Sequence, residues 1–280
     1  MTGFGTHNQP PGTWSDDTSL SLCLMESLCD GFTLSDQADR FRRWLFQAHW
    51  TPHGSVFDVG QTTREAIFRL DRVVDPRDAG PTDQYTNGNG SRMRILPIAI
   101  YFAHDNPMDR LARTMDASRL THGHIRSQLA CGFLVELAAQ LIHGRTFTEA
   151  LSSARSTLAP VIEQRYEQES PAFTRLFDVG LVNRAANEIS GSGYVIHSLE
   201  AAVWCTARAE SFADAVLAAV NLGEDTDTTA AISGGLAGLR FGRLSIPSHW
   251  ISKLARVDEI DSLIVRFAEA CVRQWSRAKT

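Results

Sequence analysis

The most constraining feature of this 280-residue sequence is a crowd of carboxylates and hydroxyls at the start of a helix of small residues. Gly223-Glu224-Asp225-Thr226-Asp227-Thr228 leads into Thr229-Ala230-Ala231-Ile232-Ser233-Gly234-Gly235-Leu236-Ala237-Gly238. Negative charge near a helix N-terminus is favourable, and one Asp or Thr is enough to cap the free amides. A second carboxylate two residues on adds repulsion, which a hard cation between the two would relieve. An EF-hand is excluded: counting from Asp225, the sixth position is Ala230 rather than Gly and the twelfth is Leu236 rather than Glu. On this stretch alone, an over-capped helix start and a metal site stand level. The glycines weaken the helix and predict another backbone packed closely against it.

A second stretch tips the balance. Gly12-Thr13-Trp14-Ser15-Asp16-Asp17-Thr18 also places a hydroxyl and adjacent carboxylates at the start of a helix, with Leu20, Leu24, Met25 and Leu28 on its apolar face. Two such helix starts meeting in space would form an all-oxygen cage, which suits Mg²⁺, Mn²⁺ or Ca²⁺ and not zinc. Several carboxylates in one cage favour two ions over one, and paired ions can polarise a substrate oxygen and activate water.

Composition narrows the class. The formal net charge is −5 with no block of basic residues, which argues against a nucleic-acid or acidic-membrane partner. Cys23, Cys29, Cys131, Cys205 and Cys271 are odd in number and lack C-x-x-C spacing, so reduced thiols are expected and a disulfide framework or zinc site is not. The N-terminal residues are polar and turn-rich rather than a signal sequence. No apolar run is expected to reach membrane-spanning length; Ile95 to Ala103 is short and contains Pro97. A cytoplasmic, monomeric globule is expected.

From Asp16 onward the period is helical. Asp39–Ala48 carries Phe41, Trp44, Leu45 and Ala48 as a stripe, and Thr62–Val73 carries Ala66, Ile67, Leu70 and Val74. Cys131–Ile142 is a buried helix by composition. Thr146 and Glu149 have capping-box spacing, and Ser211 with Asp214 marks another start. Tyr194–Ala207, Ser211–Leu222 and Asp258–Ser276 complete the set, the last buried through Leu263, Ile264, Phe267 and Cys271. Loops fall at Thr51–Gly60, Asp75–Gly90, Glu167–Pro171 and Ser190–Gly193, none long enough for an interdomain linker. The Glu163–Glu169 charge run reads as a solvated helix end. No stretch alternates as a strand does, so residues 1–280 are expected to form one all-α domain.

Four further segments bear on binding. Asn87-Gly88-Asn89-Gly90-Ser91-Arg92-Met93-Arg94 is a Gly-rich loop entering a helix, able to turn its amides toward an anion, or simply a pair of Asn-Gly turns. Thr121-His122-Gly123-His124 lacks partners at zinc spacing, which makes a metal role for its histidines a poor reading. Gly191-Ser192-Gly193-Tyr194-Val195 is a Gly-bearing helix entry whose tyrosine could flank a ring or join the core. Phe57-Asp58-Val59-Gly60-Gln61-Thr62-Thr63-Arg64 places Asp58 either to cap the next helix or to brace a site.

These segments, in this order, resemble the ADP-ribosylglycohydrolase family, from about Gly12 to Trp250. Trp14–Thr18 is similar to its W-(S/T)-D-D-T motif, and Gly223–Thr228 to its G-(G/D/E)-D-(T/A)-D-T motif. The Gly88–Arg94, Thr121–Gly123, Ser192–Val195 and Phe57–Arg64 segments are similar to its G-N-G-(S/G)-x-M-R, T-H-(G/P), S-G-Y-V and F-D-(I/V)-G-x-T-T-R segments. The resemblance implies a compact orthogonal multi-helix fold and a metal-dependent hydrolase that removes ADP-ribose from a modified protein or small molecule, arginine-linked by preference. It implies Ser15, Asp16, Asp17, Asp225, Asp227 and Thr228 as ligands of two Mg²⁺ or Mn²⁺ ions, with the four aspartates catalytic. Asn89, Gly90, Ser91, His122, Gly123, Ser192, Gly193 and Tyr194 are implied as ligand contacts, and Arg94 serves equally well as a structural pin. Family members usually carry an apolar helix before the first motif, with a G-D-(A/S)-x-G segment and often a Glu near the scissile bond. The sequence holds no such segment ahead of Trp14, which fits either a late start or a natural short form and leaves open the role that Glu would have played. The alternative is an ADP-ribose-binding or structural relative without turnover.

Overall fold

The computed structural model describes residues 3–72 and 75–278, so Val73 and Val74, placed above in a helical stripe, lie outside the described residues. Thirteen α-helices follow one another among those residues. They are α1 (Asp16–Cys29), α2 (Leu34–Gln47), α3 (Gln61–Asp71), α4 (Leu96–Tyr101), α5 (Pro107–Arg119), α6 (Ile125–Ile142) and α7 (Phe147–Arg165). Then come α8 (Ser170–Phe177), α9 (Val195–Arg208), α10 (Phe212–Asn221), α11 (Thr226–Phe241), α12 (Ser248–Ile251) and α13 (Val257–Arg277). The described residues form no strand, only a single antiparallel bridge between Gly88 and Tyr194.

The core is wrapped around α6, whose residues from Ser127 to Ala139 are all buried. A helix that is apolar on every side can be stable only inside other helices; α4, α5, α7 and α9 surround this one. With 18 residues and a mean hydropathy of 1.3, α6 does reach membrane-spanning length by composition, contrary to the sequence expectation. It is the central core helix, 78% buried inside the fold. Its one buried acid, Glu136, is held by Arg110 of α5 at 2.6 Å, and Arg110 also donates to the carbonyls of Phe102, Ala103 and Asp105. A second apolar cluster joins Trp14, Leu20, Phe41, Trp44, Ile67 and Leu263, fastening α1 to α2, α3 and α13.

Local capping follows the sequence where the signals are strong. Thr146 and Glu149 form the expected reciprocal capping box of α7, and Ser211 accepts from the Asp214 amide at 3.1 Å to start α10. Other expectations need correction. The Glu167–Pro171 segment is helical, a 3₁₀ turn over Glu167–Glu169 running into α8 with Pro171 in its first turn. Glu169 is buried and paired with Arg126 at 2.7 Å, not solvated. Ile264 is 39% exposed, because α13 turns only Leu263, Phe267, Ala270 and Cys271 inward. At Gly235 of α11 the close neighbour is the Leu96 side chain rather than another backbone. All five cysteines are free thiols.

Candidate active site

The first turns of α1 and α11 meet, bringing together the two acidic stretches from opposite ends of the chain. Asp17 Oδ2 accepts from Ser15 Oγ at 2.9 Å and from Thr228 Oγ1 at 3.4 Å. Asp225 Oδ2 accepts from Asn89 Nδ2 at 2.7 Å, tying the Gly-rich loop to the same cluster. Ser15, Asp16, Asp17, Asp225, Asp227 and Thr228 are thus gathered in one place, as the spacing of the motifs predicts.

Asp58 belongs there too. Its backbone is left-handed (φ 56°), and Gly60, not Asp58, stands at the N-terminus of α3. The carboxyl lies beside Asp227, whose charge adds to burial in raising its pKa, and His7 Nε2 lies 3.2 Å from it. Of the two roles open for Asp58 in the sequence, the structure selects the brace at the site over the helix cap.

Beside the acids lies a polar cavity of about 440 Å³, lined by Asp16, Asp58, Asn89, Gly90, His122 and Asp225 among others. The Gly88–Gly90 loop forms one wall and is zipped to the Gly191–Val195 segment by the Asn89 amide to the Gly193 carbonyl (3.0 Å) and the Val195 amide to the Asn87 carbonyl (3.0 Å), although neither Ser192 nor Gly193 lines the cavity. The Asp225 amide donates to the Gly191 carbonyl at 3.0 Å, so the loop of Ser192 and Gly193 is hung from the acidic turn itself. A Cβ at Gly193 would stand 3.2 Å from Asp225 Oδ2. His122 is buried against the loop, with Thr121 Oγ1 2.9 Å from its Nδ1.

Not every expected contact faces this cavity. Ser91 is wholly buried, bonded to Ser118 Oγ at 3.0 Å and 3.4 Å from the Cys131 sulfur, so its side chain points into the core behind the loop. Gly123 is buried against Gly80, where either glycine's Cβ would strike the other segment's backbone. The Tyr194 hydroxyl accepts from Arg126 at 3.1 Å and its ring meets His197 edge-to-face at 4.9 Å, beyond the cavity lining. Ser192 Oγ pairs with His197 Nδ1 at 2.8 Å. Arg94 is the structural pin, donating to the carbonyls of Gly90 (2.9 Å) and Ala117 (3.1 Å). Arg92 similarly holds the Val195 carbonyl and Ser198. His124 caps α6 through Nδ1, which accepts from the Arg126 amide at 3.1 Å.

The electrostatics are those of acids without compensation. Burial first, then the neighbouring carboxylates, raise the pKa of Asp16, Asp17, Asp58 and Asp225 above the ordinary range. Asp227 is a neighbouring carboxylate that adds to burial in raising both Asp58 and Asp225. Among the described residues no Lys or Arg lines the cavity, and burial with the Arg94 charge pushes His122 down to about 3, so it is neutral. Asp17 Oδ1 is buried without a hydrogen-bond partner. Among the described residues no group of three or more His, Cys, Asp or Glu side chains is closed up as a ready-made metal cage. The donor set nevertheless fits hard divalent cations: only oxygen donors, excess negative charge and an orphaned carboxylate oxygen.

An all-helical fold whose two acidic helix starts face a glycine-rich loop across a polar cleft defines the class of protein by its architecture. The ADP-ribosylglycohydrolase family profile matches residues 1–277, and the chain belongs to that family. It is 33% identical over 268 residues to ADP-ribosylarginine hydrolase Tri1 of Serratia proteamaculans, covering 94% of this chain and 69% of that protein. It is 29% identical to the ADP-ribosyl-[dinitrogen reductase] glycohydrolase of Rhodospirillum rubrum, covering 91% and 78%. Among solved structures, an ADP-ribosylglycohydrolase-related protein complex superposes with a TM-score of 0.79 at 33% identity, over 98% of this chain and 86% of the other.

Proposed function

We propose that the protein hydrolyses the N-glycosidic bond that joins ADP-ribose to arginine side chains of modified proteins. The observation that carries this is the meeting of Asp16 and Asp17 with Asp225, Asp227 and Asp58 at the edge of a polar cavity walled by main chain. The similarity to an ADP-ribosylarginine hydrolase supports the choice of arginine.

Ser15, Asp16, Asp17, Asp225, Asp227 and Thr228 would hold two Mg²⁺ or Mn²⁺ ions. Bound there, such ions supply Lewis-acid chemistry that orients sugar hydroxyls and lowers the pKa of water. The chain's own groups do the rest. Gly88, Asn89 and Gly90 let the backbone approach a diphosphate closely, and neutral His122 offers a hydrogen bond without a charge. Asn89 fixes Asp225 through its amide. A carboxylate of the cluster orients the attacking water and takes up its proton. A guanidinium leaving group needs less acid assistance than an alkoxide, which favours the arginine linkage.

The test is release of ADP-ribose from an arginine-ADP-ribosylated protein, by wild type and Asp225→Ala, in Mg²⁺, Mn²⁺ or EDTA. Release that needs the metal and falls at least about a hundred-fold in the variant is expected. No release, with ADP-ribose still raising the melting temperature, would leave a binding protein without turnover. Equal turnover of serine-linked ADP-ribose would overturn the arginine preference.

A further inference from the structure

Glu224 and Asp227 form a rim, and beyond it lies a second cavity of about 800 Å³ with a different character. Trp14, Phe57, Phe212 and Trp250 give it aromatic walls, and Phe4 stands 67% exposed beside it. The Phe212 and Trp250 rings meet edge-to-face with centroids 6.2 Å apart. Adjacent residues of α1 divide between the two spaces: Asp16 lines the polar cavity and Asp17 the aromatic one. His7, Glu224 and Asp227 line both, so the two are continuous across the acidic rim. Among the described residues no Lys or Arg lines either. Glu224 is held in place, with a left-handed backbone (φ 59°) and its Oε2 accepting from Ser190 Oγ at 2.9 Å.

In the hydrolase reading, an ADP-ribosyl group with its diphosphate on the Gly88–Gly90 loop and its anomeric carbon at the acids would direct its leaving group over that rim. We propose that the aromatic cavity is the leaving-group subsite and that it takes the modified arginine, the alkyl stem lying on Trp250 and Phe57 and the guanidinium facing Glu224 and Asp227. The inference rests on the hydrolase reading above and adds what selects the substrate. A planar cation gains both from aromatic faces and from carboxylates, whereas a short neutral hydroxyl gains from neither.

The probe is agmatine, a guanidinium on a four-carbon stem, titrated into the full chain by ligand-observed NMR with and without saturating ADP-ribose. Saturable binding that persists with ADP-ribose present is expected, with N-carbamoylputrescine, which keeps agmatine's terminal ammonium but carries a neutral urea in place of the guanidinium, weaker. Trp250→Ala, Phe57→Ala and Glu224→Gln should each weaken agmatine by about five-fold or more, with ADP-ribose affinity unchanged for the two aromatic variants. Displacement of agmatine by ADP-ribose, or affinities indifferent to all three substitutions, would overturn the subsite. The two readings fail separately. Agmatine bound as expected without release of ADP-ribose from modified arginine sinks the hydrolase and leaves the subsite. Release with agmatine indifferent to the aromatic substitutions does the reverse.

Discussion

A Cβ added at Gly90 would stand 2.9 Å from both His122 Cε1 and Thr63 Oγ1. The imidazole cannot yield, because it is buried and pinned by Thr121 on its other side. Gly90→Ala is therefore expected to push the loop off its wall, costing about 1–3 kcal/mol of stability and weakening ADP-ribose binding about ten-fold. A melt and a calorimetric titration with ADP-ribose check both. Retention of wild-type affinity would show that the loop does not carry the diphosphate. This glycine was legible in the sequence; Asp58 was less so. Its spacing suits a cap as well as a site role, and only the left-handed turn of its backbone decides between them. Ser91 was misjudged for a related reason: sequence places a residue in a loop but does not say which way a tight turn points its side chain.

At the scale of elements, α6 shows how a core helix accommodates charge. Glu136 is buried in the middle of it, and Arg110 crosses from α5 to meet it while satisfying three carbonyls. Arg110→Met removes the cation and strands the carboxylate, so a loss of about 3–5 kcal/mol is expected in urea unfolding. The double variant Arg110→Met with Glu136→Gln should recover part of that loss; no recovery would mean that the carbonyl contacts matter more. Long periodic helices such as α1, α7 and α13 could be read from their stripes and caps. Helices α8 and α12, with 8 and 4 residues, are too short for a 3.6-residue period to declare itself. The omission of α5 has a different origin. Asn106 accepts from the Met108 amide at 2.8 Å ahead of Pro107, a start signal present in the sequence but set among residues whose apolar stripe is thin.

For the whole molecule, acid stability depends on where α1, α2 and α13 come together. Glu26 accepts from His49 at 2.7 Å and Arg40 at 2.5 Å, with Arg266 of α13 3.9 Å away. Burial pushes this carboxyl up, but His49 and Arg40 outweigh it and hold it down at about 2. A lowered folded-state value means that its contribution is complete above the unfolded value and is lost as pH falls toward about 2. Glu26→Gln is expected to cost on the order of 1–2 kcal/mol at pH 7, allowing for solvent screening. The gap from wild type should close as pH drops below about 4, as measured by denaturant unfolding across that range. A gap independent of pH would assign the cost to packing instead.

The hydrogen bond from Thr228 to Asp17 spans 211 residues. The Gly12 carbonyl accepts from the Ala255 amide at 3.1 Å, in a seat so tight that a side chain at Gly12 would collide with the Lys253 carbonyl. During synthesis, α1 leaves the ribosome with its two aspartates long before the residues they meet have been made. Nothing that depends on the acid cluster can begin until α11 has emerged, and the segment leading into α1 finds its place only after residue 255. A chain halted before α11 would carry the core helix and the glycine loops without the acid cluster. Assembly of the acid cluster is thus tied to synthesis of the chain through at least residue 255.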